Sequence, residues 1–72
     1  MRAPAEALDL DALRLRGEFL EMPGLVINNS QVARLLDVLV PHANEVLDVL
    51  EKEDFLIRVP SGSYRRAHPL YA

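Results

Sequence analysis

The stretch FLIRVPSGSYRRAH, Phe55 to His68, constrains this chain more than any other. Phe55, Ile57 and Val59 alternate with Leu56 and Arg58, which is the period of a strand with two unlike faces. Pro60-Ser61-Gly62-Ser63 then reads as a turn with Gly62 available for positive φ, and Tyr64 to His68 returns as a second strand. Almost no linker separates this hairpin from the helical pattern before it. If Pro60 pairs with Ser63, Arg58 faces Arg65 directly across the hairpin. Two like charges in that position are unfavourable, so an anion between them is welcome.

Upstream, the apolar residues recur at helical spacing. From Ala5 to Met22, Leu8, Ala12, Leu15, Phe19 and Met22 stand three or four apart, the mark of one buried face. Leu10, Leu13 and Leu20 widen that face beyond what a small core needs, and are read either as core or as a dimer seam. Gly17 interrupts the pattern at about 1 kcal/mol relative to Ala, predicting a bend there or a helix that starts properly near Asp9 or Asp11. Pro23-Gly24 ends it. Leu25-Val26-Ile27 suggests a minor strand added to the hairpin. Asn28 and Gln31, three apart, predict a capping box for the next helix, whose buried side is Val32, Leu35 and Leu36 and which breaks at Asp37-Val38. Pro41 suits the first turn of a third helix. Ala43, Val46, Leu47 and Leu50 are its inward stripe; His42, Glu45, Asp48, Val49 and Lys52 lie opposite.

Seventy-two residues allow one modest core near the size at which cores become marginal. There is no cysteine, so disulfides and Cys-based zinc sites are excluded. The longest aliphatic runs are far too short to span a bilayer, and the opening residues carry Pro4, Glu6 and Asp9 where a signal peptide would be apolar. The expected location is cytoplasmic, with no membrane partner. The net charge of −3 is unevenly spread. Residues 30–54 hold Arg34 and Lys52 against six acids, whereas residues 55–72 hold Arg58, Arg65 and Arg66 and no acid. The two later helices are acidic and the hairpin is basic.

The segments GEFLEMPGLVINNSQVARLLDV and EVLDVLEKEDFLIRVPSGSYRR, about two thirds of the chain, resemble the winged helix-turn-helix domain of small bacterial DNA-binding transcriptional regulators. Ile27, Asn28, Gln31, Ala33, Arg34 and Leu35 match the pattern that opens the first motif helix. Leu47, Leu50, Phe55, Leu56 and Arg58 match the pattern that closes the second and enters the wing. Gly62, Tyr64 and Arg65 match the wing turn and return strand. The resemblance implies a mainly α fold with a small β-hairpin, a three-helix core plus wing: one domain over residues 1–72, with a loose terminus (1–4), a first helix (5–22), a helix-turn-helix (28–54) and a wing (55–68). Four positions depart from the pattern. Asp54 stands where Gly usually ends the second motif helix, and Asp37 replaces the turn Gly; Asp tolerates the left-handed conformation better than most residues. Glu45 and Asp48 occupy the stripe where base-reading side chains are expected, and acids facing phosphates carry an electrostatic penalty.

The resemblance implies double-stranded DNA as partner, contacted by the second motif helix and a basic wing, with Arg34, His42, Asn44, Glu45, Lys52, Arg58, Arg65 and Arg66 as candidate contacts. Five of them have a plainer reading: His42 and Asn44 as a solvated first turn, Arg34 paired with Asp37 or an acid of the next helix, Arg58 and Arg65 splayed into water or paired with helix acids. A homodimer through the first helix would supply a second half-site. The alternative function is a protein–protein interaction module whose acidic second motif helix meets a basic protein partner. No cofactor is expected, and His42 and His68, far apart in sequence and with Glu45 as no clear third ligand, make a poor metal set. With no Cys, no Ser-His-Asp context and no Gly-rich phosphate loop, no enzyme activity is expected.

Overall fold

The computed structural model describes residues 4–68, which form three helices followed by a two-stranded antiparallel hairpin. The expected loose terminus lies outside the described residues except for Pro4, which opens the first helix. That helix, α1 (Pro4–Glu21), runs without interruption through Gly17. It starts ahead of Asp9 and Asp11, where the interruption at Gly17 also allowed a beginning, and the contacts of the surrounding turns offset one poor helix former. Its buried face is Ala12, Leu15 and Phe19, with Asp11 also buried. Leu10, Leu13 and Leu20 are exposed and so are not core, and Met22, expected on the buried face, is 48% exposed just beyond the helix end.

Helix α2 (Asn29–Leu36) starts with the predicted capping box: the Gln31 backbone N–H donates to Asn28 Oδ1 at 2.9 Å, and the Asn28 N–H donates to Gln31 Oε1 at 2.8 Å. It buries Val32, Ala33 and Leu36; Leu35, assigned to that face from spacing, is exposed instead, and Ala33 takes its place. Asp37 ends it at φ 58°. Helix α3 (Val40–Lys52) follows, with Pro41 in its first turn. Ala43, Val46, Leu47 and Leu50 are all fully buried, because α3 is packed against α1, α2 and the first strand together. At roughly 1.5–3 kcal/mol for each large apolar side chain removed from water, this stripe is the main tie between the helices and the hairpin.

Strands β1 (Leu56–Arg58) and β2 (Tyr64–Arg66) pair with Leu56 opposite Arg66, Ile57 opposite Arg65 and Arg58 opposite Tyr64. The turn is one residue longer than a Pro60–Ser63 pairing requires. The Val59 N–H donates to Ser63 O at 2.8 Å and the Gly62 N–H to Val59 O at 2.9 Å, with Gly62 at φ 90°. This is the three-residue loop in which a glycine bulge closes the turn. The expected Arg58–Arg65 opposition is therefore wrong, since a shift of one residue changes every cross-strand partner. The expected third strand reduces to a single bridge between Ile27 and Tyr64, with N···O distances of 3.1 and 2.8 Å. Among the described residues no helix is long and apolar enough to cross a membrane.

Candidate functional site

The exposed face of α3, the start of α2 and the tip of the hairpin enclose a polar cleft of about 350 Å³, lined by Asn29, Asn44, Asp48, Arg58, Gly62 and Tyr64. Its position follows from local causes. The Asn28 cap fixes where α2 begins, so Asn29 meets α3, and its Nδ2 donates to Asn44 Oδ1 at 3.0 Å. The inward stripe of α3 turns Asn44 and Asp48 outward, and the three-residue turn brings Gly62 over them. Neither α2 nor α3 carries an acid in its first turn. One carboxylate and one guanidinium are thus held among amides, a set suited to recognition of a polar surface.

Of the eight residues singled out from sequence, the cleft gathers Asn44 and Arg58. Arg58 is only partly available: its Nη2 lies 3.8 Å from Glu51 Oε1 and its guanidinium sits 5.2 Å from the Tyr64 ring centroid. Its side chain remains 55% exposed, so neither contact removes it from solvent. Glu45 and Lys52 are exposed on the outer side of α3, and Arg34 is exposed on α2. The described residues record no ion pair between Arg34 and Asp37 or an α3 acid. Arg65, half-buried, faces away from the helices beside Ile57, and its Nη1 donates to Arg66 O at 2.9 Å.

Two candidates turn inward. His42 Nε2 lies 2.8 Å from Asp11 Oδ2, tying the first turn of α3 to the buried side of α1. One ring nitrogen is thereby engaged in the helix packing, while 27% of the side chain stays exposed. Arg66 is 4% exposed, with its guanidinium 5.0 Å from the Phe55 ring centroid and Nη2 donating to His68 O at 3.2 Å. Opposite Leu56 in the strand register, it shares the face that packs on the helices. Neither orientation had a local signal: Asp11 lies 31 residues before His42, and Arg66 depends on the register. Asn29 and Tyr64, both in the cleft, were absent from the candidate set. The sequence marks Asn29 only as a neighbour of the cap and Tyr64 only as an apolar strand position.

His68 Nε2 lies 3.3 Å from Asp54 Oδ2, so the two histidines sit on different carboxylates. No group of three or more His, Cys, Asp or Glu among the described residues is placed to hold a metal ion. Comparison with family models, curated proteins and solved structures returns no match.

Proposed function

We propose that the chain docks on double-stranded DNA through the cleft side of α3 and the basic wing, with Arg58, Arg65, Lys52 and Arg34 meeting phosphates and Asn44 reaching toward the groove. The observation that carries this reading is the meeting of Arg58 from the acid-free hairpin with Asn44 and the acid-free first turn of α2 around one cleft. A guanidinium held beside amide side chains, with no acid in the adjoining helical turn, favours a phosphate oxygen. Asp48, in the same cleft, opposes it. Binding is therefore of modest affinity, led by phosphate contacts and steeply dependent on salt.

One observation favours a second reading. Glu45 and Asp48 stand outward on α3 with Lys52 as the nearest exposed cation of that helix, a face that suits a basic protein segment. Asp48→Asn separates the two because the signs are opposite. In DNA binding the substitution removes a repulsion and tightens a mixed-sequence duplex by about three- to tenfold at low salt. In binding to a basic partner it weakens capture of a lysine-rich peptide by a similar factor. Fluorescence anisotropy of both probes at two salt concentrations reads the result. A wild-type chain with no salt-dependent affinity for duplex would remove the DNA reading.

A further inference from the structure

Helix α1 has a second apolar face, distinct from the one buried against α3. Leu10, Leu13 and Leu20 are 46, 64 and 44% exposed. With Gly17 they stand at i, i+3, i+7 and i+10, one stripe opposite Ala12, Leu15 and Phe19. Beyond Gly17 nothing lies within 4 Å of where a Cβ would be. The apolar repeat begins at Leu10, since the position one turn earlier is Glu6. In heptad terms Leu10 and Gly17 are at a, Leu13 and Leu20 at d, with Asp9 and Arg16 at g and Arg14 and Glu21 at e.

We propose that this face pairs with the same face of a second copy, α1 alongside α1 and parallel. Charge selects both the occupant and the direction. In a parallel pair each g residue meets the e residue five positions later on the other helix. Asp9 then meets the partner's Arg14, and Arg14 the partner's Asp9. An antiparallel pair with the same leucines overlapped would bring Arg14 against the partner's Arg14, a repulsion. Arg16 is left out of this comparison because it already pairs with Glu53 and lies 4.7 Å from the Phe55 ring centroid. The layers are Leu10 on Leu10, Leu13 on Leu13, Gly17 on Gly17 and Leu20 on Leu20. Three leucines per chain are fewer than a standard interface supplies, so the dimer is weak and reversible.

Sedimentation equilibrium between about 20 µM and about 1 mM tests this, with self-association expected inside that range. Leu13→Glu should be monomeric with an unchanged circular dichroism spectrum, since that side chain is outside the core. Arg14→Glu should weaken association by about fivefold or more, and the double variant Asp9→Arg with Arg14→Glu should restore it. Residues 9 and 14 lie some 140° apart around their own helix, so such rescue is intermolecular. The chain has no cysteine; Gly17→Cys should therefore cross-link in a glutathione buffer as a parallel pair requires. Antiparallel helices would hold those two positions beyond disulfide reach. A wild-type chain that stays monomeric throughout, a Leu13→Glu dimer, an Arg14→Glu variant that associates as well or better, or a Gly17→Cys chain that does not link would each overturn the proposal.

Discussion

Asp37 and Asp54 hold left-handed backbone, at φ 58° and 62°, and they do so for the same reason. After α2, the Val38 N–H reaches Ala33 O at 2.9 Å and the Asp37 N–H reaches Arg34 O at 3.3 Å. After α3, the Phe55 N–H reaches Leu50 O and the Asp54 N–H reaches Glu51 O, both at 3.0 Å. Each is a Schellman ending, and each requires the residue that closes it, Asp37 directly after α2 and Asp54 one residue beyond Glu53 after α3, to turn left-handed. An L-residue there costs about 1–2 kcal/mol, least for Asp and Asn, whose short polar side chains bond locally. Replacement by Gly removes that strain and returns part of the gain through the freer unfolded chain. Asp37→Gly should raise stability by about 0.5–1 kcal/mol in thermal unfolding. Asp54→Gly should gain less, because its carboxylate also meets His68. The two sites are far apart in the chain and share no partner, so the double variant should add. A Tm lowered by Asp37→Gly would mean that the left-handed turn is not what ends α2 in solution.

At the scale of the elements, the hairpin is where sequence and structure part. The helices were legible because their causes are local: a capping box at Asn28 and Gln31, Pro41 in a first turn, and a stripe of Ala43, Val46, Leu47 and Leu50 at one period. The left-handed ends were legible too, from Asp standing in place of Gly. The hairpin was legible as a hairpin, yet its register turned on whether Pro60-Ser61-Gly62 closes as two residues or three, and both fit that sequence. That single residue decides which arginine faces water. His42 was opaque for a different reason, since its partner Asp11 comes from another helix. Of the candidate site, then, the cleft's α3 and wing contributors Asn44 and Arg58 could be read in advance, whereas the inward turn of Arg66 and His42 depends on tertiary partners. The register makes the two neighbouring wing arginines separable. Arg65→Ala should leave Tm nearly unchanged and, in DNA binding, flatten the slope of log affinity against log salt by about 1. Arg66→Ala should cost roughly 1–3 kcal/mol of stability, because it strips a buried cation from Phe55 and the His68 carbonyl. Denaturant titration of both variants beside duplex titration reads the difference; equal stability would mean that Arg66 is not packed inward.

For the molecule as a whole, thirteen buried apolar residues from α1, α2, α3, the hairpin and the Ile27 bridge form one cluster. No part of the hairpin has a core of its own: Leu56 and Tyr64 belong to the helical cluster, and Phe55 packs edge-on against Phe19 with ring centroids 6.3 Å apart. Two strands alone are marginal in water, so the wing and its arginines keep their geometry only while the helices hold. The cleft is built from α2, α3 and the wing together, which makes its integrity a property of the whole chain. At roughly 0.05–0.15 kcal/mol per residue, a chain of this size is stable by only about 4–10 kcal/mol. Phe19→Ala, which empties a fully buried position touching both α3's neighbours and the wing's Phe55, should cost about 3–5 kcal/mol. Native-state hydrogen exchange should then show the Leu50 amide in α3 and the Tyr64 amide, bonded to Ile27 O, losing protection by the same amount. A Tyr64 amide that already exchanges several kcal/mol more easily than Leu50 in the wild-type chain would mean that the wing opens independently, and that the cleft forms only part of the time.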